Sequence, residues 1–569
     1  MKLRTLQIKN FRGIRDLTLP LDDVTVLIGE NNTGKTSILD ALQICLSRAI
    51  TRRAGTFGDY DYHLNSADCQ PTDADSIEIT LYFQEDSPDE WPEAVPQLVP
   101  DAIGVGADDK QRVILRVASV YDKALSTFTT TWTFLNPAGE SLAKANNPRN
   151  LSGLQQLVPI FYLAALRDAA QEFRPRSQFW GPFVRALKID PALRKEIEDE
   201  LAVLNQKVLD SHEAFEPVRE RLKQTGKLVP LHDDDPVGIE ALPGKVFDML
   251  SRTQVMLSAK TGARLPISQH GEGTQSLAVI CLFDAFLSAQ LTESYSEHAD
   301  PILALEEPEA HLHPSAIRAV GKLLTDMRGQ KIIATHSGDL VASVPVTALR
   351  RLCRREGRIV VHQVLPGSLT PEDIRKLDHH IRLSRGNLLF ARYWLLVEGE
   401  TDSRVFQECA RLCGSDLFSE GICCIEYATI GLERFIKLGD QLGIVWSVIA
   451  DDDPEGSKYK QTAVKMLAGR KEVDHVRLLP ARNMESFLCQ SGYGAVYEKR
   501  VSPQKAGTIV ATKGTVAYWD QVVRALSDKG KPEAAAACID EIEKIGAKGV
   551  PDFIRQAIDA ALAAARKAS

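Results

Sequence analysis

The chain has 569 residues, 44% of them hydrophobic and 25% charged, with a net charge of -8 and a pI near 5.9. This is an ordinary globular composition, too long for one core and enough for roughly three or four domains. The acidic balance excludes a polyanion binder with a basic surface all round, so any such contact falls to local patches, of which Arg350, Arg351, Arg354, Arg355 and Arg358 form one candidate.

The ten cysteines are scattered and include no Cys-x-x-Cys pair, which argues against a zinc site. Buried reduced thiols in a cytoplasmic protein are the expectation. No apolar stretch approaches the roughly 18 residues of a membrane helix, and Met1-Lys2-Leu3-Arg4 opens no signal-peptide core, so no membrane partner is expected.

In chain order, Leu6–Phe11 and Leu17–Leu19 predict paired strands around a turn at Arg12-Gly13. A buried strand, Val24–Ile28, then runs into Gly29-Glu30-Asn31-Asn32-Thr33-Gly34-Lys35-Thr36, which fits G-x-x-x-x-G-K-[ST]. Glycines let such a loop wrap a phosphate, with backbone N–H groups and the next helix's N-terminus aimed at the anion. Asn31, Asn32, Thr33, Gly34 and Ser37 form the cradle in this reading; Lys35 reaches the β- and γ-phosphates of ATP and Thr36 holds its Mg²⁺. Gln84, after a strand Ile77–Phe83, is a candidate contact to the same ion.

A helical, charged stretch over 173 to about 228 follows, with Ile197, Leu201, Leu204 and Val208 at helical spacing. Residues 230–243, with Asp233-Asp234-Asp235, read as an acidic loop. The insertion is too short for a long coiled-coil arm and suits either a compact dimerisation bundle or a helical packing layer. Next comes Ser268-Gln269-His270-Gly271-Glu272-Gly273-Thr274-Gln275, a small-residue turn opening a helix. Ile302–Leu305 is an apolar strand ending in Glu306-Glu307; Glu306 is placed for Mg²⁺ and Glu307 for orienting a water. Lys331–Ala334 is a strand delivering His336, which reads as a γ-phosphate sensor. The order of these motifs resembles the ABC-type ATPases, in the SMC-like branch with a long insertion. An Asp is usual where Glu306 stands. The resemblance implies that Ser268, Gly271 and Gly273 cap ATP held by a second protomer, so the chain is at least a homodimer.

The C-terminal part alternates strands and helices, which predicts a parallel sheet covered on both faces. Strand Trp394–Val397 delivers Glu398-Gly399-Glu400-Thr401-Asp402, and strand Val445–Ala450 delivers Asp451-Asp452-Asp453. Glu398 and Asp402, four apart across a turn, can face one metal; Asp451 and Asp453 can converge while Asp452 points away. Oxygen-only ligand sets suit Mg²⁺ or Mn²⁺, and two such ions can clamp the attacking and leaving oxygens of a phosphodiester. Glu485 adds a further acid and Arg482 a candidate phosphate contact. Lys529-Gly530-Lys531-Pro532, before a helix Glu533–Ile542, offers a lysine to stabilise developing charge.

Taken together, the phosphate loop, S-Q-H-G-E-G-T-Q, L-E-E-P-E-A-H-L-H-P, A-T-H-S, L-F-A-R-Y-W-L-L-V-E-G-E-T-D and A-D-D-D resemble the OLD (overcoming lysogenization defect) family, in its YbjD-like ATP-dependent endonuclease branch. The resemblance implies an α/β protein: ABC/SMC-like ATPase parts at 1–165 and 246–380, a helical dimerisation insert at 166–245, and a Toprim nuclease domain with a helical extension at 387–569. It also implies Glu398, Asp402, Asp451, Asp453 and Glu485 as metal ligands and Lys531 as the catalytic lysine, with Lys529 second. ATP, one Mg²⁺ with it and two Mg²⁺ or Mn²⁺ at the acidic site are the implied cofactors. DNA, a second copy or a higher homo-oligomer, and a partner protein of a defence system are the implied partners, in phage defence or DNA repair. Two rivals stand beside the nuclease. One is an ATP-driven DNA clamp or sensor that recruits an effector. The other is a topoisomerase, which needs a tyrosine nucleophile, for which Tyr493, Tyr497 and Tyr518 are available.

Overall fold

The computed structural model describes residues 1–47, 50, 56–66, 68–164, 189–211, 216–217, 241–250, 256–258, 262, 264–384, 386–527 and 530–568. Residues 173–188, 212–215, 218–228 and 230–240 of the insertion, and Lys529, lie outside the described residues.

Strands β1 (Lys2–Phe11) and β2 (Ile14–Pro20) form the expected hairpin, and β3 (Val24–Gly29) leads through the phosphate loop into helix Lys35–Leu46. β4 (Ile77–Gln84), β5 (Ile103–Val105), β6 (Gln111–Asp122) and β7 (Thr127–Leu135) extend the hairpin into an antiparallel sheet in the order β2-β1-β4-β6-β5, with β7 also on β6. β8 (Ile160–Leu163) ends this stretch.

Residues 164–299 and 310–313 cluster as a separate unit. It contains helix Pro191–Asp210, the hairpin of β9 (Met256–Ser258) and β10 (Arg264–Pro266), and helix Glu272–Ala289. Among the described residues, none of helix Pro191–Asp210 is buried, and Val203 is 56% exposed.

β11 (Ile302–Glu306), β12 (Gln330–Ala334), β13 (Leu349–Arg355) and β14 (Arg358–His362) assemble around β3 in the order β14-β13-β3-β12-β11-β8. β13, β3, β12, β11 and β8 are mutually parallel. Parallel register sends the carboxyl ends of β3, β11 and β12 to one edge, where Ala334 pairs with both Leu27 and Glu306. Gly29 has φ of +153° there, and a Cβ on it would stand 2.4 Å from the Leu352 carbonyl oxygen.

The last sheet is parallel, in the order β16-β15-β17-β18, formed by β15 (Tyr393–Val397), β16 (Ile422–Glu426), β17 (Val445–Ala450) and β18 (Val476–Leu478). Every residue of β15 is buried, as covering of both faces requires. From β15 the chain steps outward to β16, then returns to the other side of β15 as β17. The strand order therefore reverses between β15 and β17, and ligands of open parallel sheets bind at that crevice.

Ahead of that sheet lies helix Pro371–Leu383, opened by a capping box of Thr370 and Asp373 with Pro371 in the first turn. The expected arginine patch breaks up: Arg350 and Arg351 are buried. Arg350 pairs with Asp22 at 2.6 Å and donates to the Pro20 carbonyl at 2.9 Å. Arg351 donates to the carbonyls of Ala391 at 2.9 Å and Leu442 at 3.1 Å, tying β13 to the last sheet. Nearby, Arg355 donates to Gly443 O at 3.2 Å, and Arg434 Nε pairs with Asp373 at 2.6 Å.

Arg351→Ala should leave those buried carbonyls without donors and cost about 2 kcal/mol, read as a lower urea midpoint of the intact chain. Arg351→Lys should recover little, because one ammonium cannot serve carbonyls that a planar fork spans. A wild-type midpoint in both variants would remove Arg351 from the junction's stability.

Candidate functional site

Two groups of chemistry-bearing residues sit at sheet edges. At the first, the β3 edge, Lys35 is buried and donates to its own loop, to Gly29 O and Glu30 O, each at 2.8 Å. Burial lowers its pKa to about 8, against the opposing pull of Glu307, Glu30 and Glu306. Thr33 Oγ1 donates to Glu30 O at 2.8 Å, while Asn31, Asn32 and Thr36 are exposed and Gly34 and Ser37 half-buried. Thr36 Oγ1 hydrogen-bonds Glu306, whose other oxygen accepts from Tyr162 OH at 2.9 Å. Glu307 has φ of +44° and its N–H donates to Ala334 O at 2.8 Å. That conformation is uncommon for a residue with a Cβ and often marks a functional turn. Burial lowers the His336 pKa, and the charge of Lys35 lowers it further.

Glu309, given no role by its sequence context, holds this histidine turn. Its carboxylate accepts from Thr335 Oγ1 and from His336 N at 3.3 Å, and burial raises its pKa. Gln84 is not brought to the phosphate loop. It pairs with Lys2, at the opposite end of β1 from the Arg12-Gly13 turn beside Gly34, and its amide oxygen accepts from Arg112 Nε at 3.0 Å. Antiparallel register, invisible in a linear pattern, points β4 away from the loop. In the separate unit, Gly271 precedes helix Glu272–Ala289, Ser268 lies in the short turn before it, and Glu272 pairs with His311 at 2.8 Å. A Cβ on Gly273 would stand 2.7 Å from His311 O.

The second group lies at the switch point of the last sheet. Glu398, Glu400, Asp402, Asp451 and Glu485 line a cavity of about 300 Å³ together with Arg404, Asn483 and Lys531. Glu398 follows β15 directly; Asp402 sits in the first turn of helix Glu400–Leu412, where its carboxylate accepts from Gly399 N at 3.0 Å. Asp451 follows β17. Glu485 is in the first turn of helix Met484–Leu488, whose N-cap Asn483 accepts from Ser486 N at 2.9 Å. Asp453 does not line the cavity. One of its oxygens caps helix Pro454–Lys465, accepting from Glu455 N at 2.9 Å and Gly456 N at 2.7 Å. Lys531 lies inside helix Gly530–Ile545, one turn earlier than the expected helix start.

Packed together, these acids shift one another. Burial, then Asp402, Glu398, Glu485 and Asp453, pushes the Asp451 carboxyl up to about 9. Asp402 rises to about 7, by burial and by Glu485, Glu398 and Glu426, against the Gly399 N–H. Glu398 is raised by burial and by Asp453, and its Oε2 is buried with no hydrogen-bond partner among the described residues. Among those residues no three acidic, histidine or cysteine groups converge closely enough to hold an ion as they stand; the acids line a space instead. An orphaned buried carboxylate oxygen and carboxyls raised by mutual repulsion are what a cation would relieve, so this oxygen-only set fits a hard divalent ion.

Arg482 is exposed and does not line the cavity, whereas Arg404, which sequence reading passed over, does. Its one available signal was the i+4 spacing from Glu400. The three tyrosines are occupied structurally: Tyr497 is buried, Tyr493 OH donates to Gly549 O at 2.6 Å, and Tyr518 OH to Glu498. No described helix is long and apolar enough to cross a membrane.

Comparison with known proteins follows the same division. The family model described as "Protein of unknown function (DUF2813)" matches residues 1–387, and "Overcoming lysogenization defect protein-like, TOPRIM domain" matches residues 389–453, the stretch holding Glu398, Asp402, Asp451 and Asp453. The chain is 29% identical to YbjD of Escherichia coli (strain K12), over 100% of this chain and 99% of that one. It is 27% identical to the OLD nuclease of Thermus scotoductus over 79% of this chain and 82% of that one. With endonuclease GajA of Bacillus cereus it shares 21% identity over 84% and 81% of the two chains. The chain therefore belongs to the DUF2813 family and is an OLD-family protein, with an ATPase-type domain and a Toprim domain on one polypeptide.

Proposed function

We propose that this chain is a metal-dependent DNA endonuclease or nickase whose cutting is gated by ATP. The observation that carries the reading is the cavity at the β15–β17 switch point, where carboxylates from two strand ends and two helix starts meet Lys531. Its similarity to the OLD nuclease of Thermus scotoductus and to endonuclease GajA of Bacillus cereus, over most of the chain, supports it. Glu398, Asp402, Asp451 and Glu485 would hold Mg²⁺ or Mn²⁺, with Asp453 available through the oxygen its helix cap leaves free. Bound there, such ions supply Lewis-acid stabilisation of a phosphodiester under attack.

The protein's own groups set up the rest. Burial keeps the carboxylates in a low-dielectric setting, where each electrostatic contact is stronger than in water. Lys531, in the first turn of its helix, offers an ammonium with no partner among the described residues and can hold charge developing on the phosphoryl or leaving oxygen. At the other edge, the phosphate loop, Thr36, Glu306, Glu307 and His336 form the ATP site of one protomer. A second protomer's Ser268, Gly271 and Gly273 complete it, and the uncovered helix Pro191–Asp210 supplies contact between copies.

The test is supercoiled plasmid with Mg²⁺ or Mn²⁺, with and without ATP. Wild type should nick or linearise it. Glu398→Ala and Asp451→Ala should each cut by about a thousandfold less or lower while still hydrolysing ATP. Lys35→Ala should weaken ATP binding about ten- to a hundredfold. Undiminished cleavage by a Glu398/Asp451 double alanine variant would sink the metal assignment. ATP binding with no cleavage of any DNA form would point to a clamp or sensor that recruits an effector.

The raised carboxyls make a second prediction. A carboxyl with a folded pKa above its unfolded value binds protons in the folded state that the unfolded chain releases, so its contribution to stability falls as pH rises. For Asp451 that window runs from the ordinary carboxylate range up to about 9. Metal-free wild type should therefore melt at lower temperature at pH 8 than at pH 6. Asp451→Asn should raise the metal-free melting temperature at pH 8, and Mg²⁺ should stabilise wild type more at pH 8 than at pH 6, because binding must displace protons. Melting curves that show no Asn effect at pH 8 would mean the acids are not in mutual repulsion.

A further inference from the structure

We infer that Arg404 is a substrate-positioning residue whose guanidinium grips a DNA phosphate next to the one that is cut. The inference rests on the nuclease reading of the same cavity.

Arg404 lies on helix Glu400–Leu412, two residues after Asp402, and it is exposed while Asp402 is buried. Both line the acidic cavity. Its surroundings make its isolation informative. Glu400 stands four residues before it, at the spacing that lets helix side chains pair, and Glu398 and Asp402 line the same space. Yet Arg404 forms no ion pair or hydrogen bond among the described residues. On the same helix, Arg411 pairs with Glu408 at 2.9 Å and with Glu543 at 2.8 Å. The helix therefore permits such pairs, and at Arg404 the fork is left open.

An unpaired guanidinium on a wall otherwise rich in carboxylates is placed for an anion that enters from solvent. Its planar fork matches two oxygens of one phosphate, a geometry an ammonium cannot reproduce. Lys531, half-buried, reaches the same cavity from another helix, whereas Arg404 is exposed. This division gives Lys531 the reacting phosphate and Arg404 a flanking one. Backbone contacts of this kind fix the register of DNA without reading its sequence. Arg482, exposed on the segment before Asn483 but outside the cavity lining, does not share the role.

The experiment compares wild type, Arg404→Gln, Arg404→Lys and Arg482→Gln in two assays: nicking rate against DNA concentration with Mg²⁺, and DNA affinity by fluorescence anisotropy with Ca²⁺ over a salt series. Arg404→Gln should raise KM and Kd about ten- to a hundredfold, with kcat within about threefold. Its slope of log affinity against log salt should shrink by about one, the value for one lost phosphate contact. Arg404→Lys should keep the slope and recover part of the affinity, and Arg482→Gln should match wild type. A wild-type KM and salt slope in Arg404→Gln would overturn the inference, as would a fall in kcat alone or an equal loss in Arg482→Gln. Those results leave a cutting wild-type enzyme and so spare the nuclease reading. A wild type that neither cuts nor binds DNA would overturn both.

Discussion

Mutual repulsion among buried and half-buried carboxylates is the constraint around which the C-terminal half is built. Glu398, Asp402, Asp451 and Glu485 share one cavity; Glu398, Asp402 and Glu485 raise the charging cost of Asp451, and Glu398 and Glu485 raise that of Asp402. Left to themselves such groups would separate or stay protonated. The backbone prevents separation: adjacent parallel strands deliver Glu398 and Asp451 to the same edge, and helix starts deliver Asp402 and Glu485. The close fit extends to Gly456, where a Cβ would stand 2.0 Å from the Asp451 carbonyl oxygen. Helix N-termini, with their unpaired N–H groups, are among the few protein features that favour concentrated negative charge. The Gly399 N–H on Asp402 is the direct instance.

The same chain brings its phosphate loop close to this sheet. Glu30, inside the loop, pairs with Arg392 at 2.9 Å, and Arg392 immediately precedes β15. Arg354 donates to the loop's Asn32 O at 3.2 Å, and Arg351 on the same strand holds Ala391 and Leu442. Arginines of β13 thus touch both the nucleotide loop and the base of the acidic sheet. A patch that looks in sequence like a polyanion surface serves partly as mortar between two sheets, because buried guanidiniums can satisfy several carbonyls at once.

Much of the architecture was legible because parallel, doubly covered strands are written as short apolar runs followed at once by functional residues. Val24–Gly29 before the loop, Ile302–Glu306, Tyr393–Val397 and Val445–Ala450 all read this way. Gln84 failed for the complementary reason: its place depends on antiparallel register against β1, which no local pattern encodes. Helix Pro371–Leu383 is less legible, because its proline, a breaker in a helix interior, opens the first turn behind a Thr370 cap.

The sequence by itself determined the inventory: a phosphate loop, an acidic strand end, a histidine turn, two acidic turns and a late lysine. It could do so because each is a local pattern with its own backbone requirement. Only the tertiary structure decided which of these meet. The strand-order reversal between β15 and β17 turned separate acids into one cavity and added Arg404 to its wall. It also left Asp453 capping a helix and put Arg482 outside. Convergence of this kind depends on strand order and side-chain direction across the sheet, and those are settled by packing between segments distant in sequence.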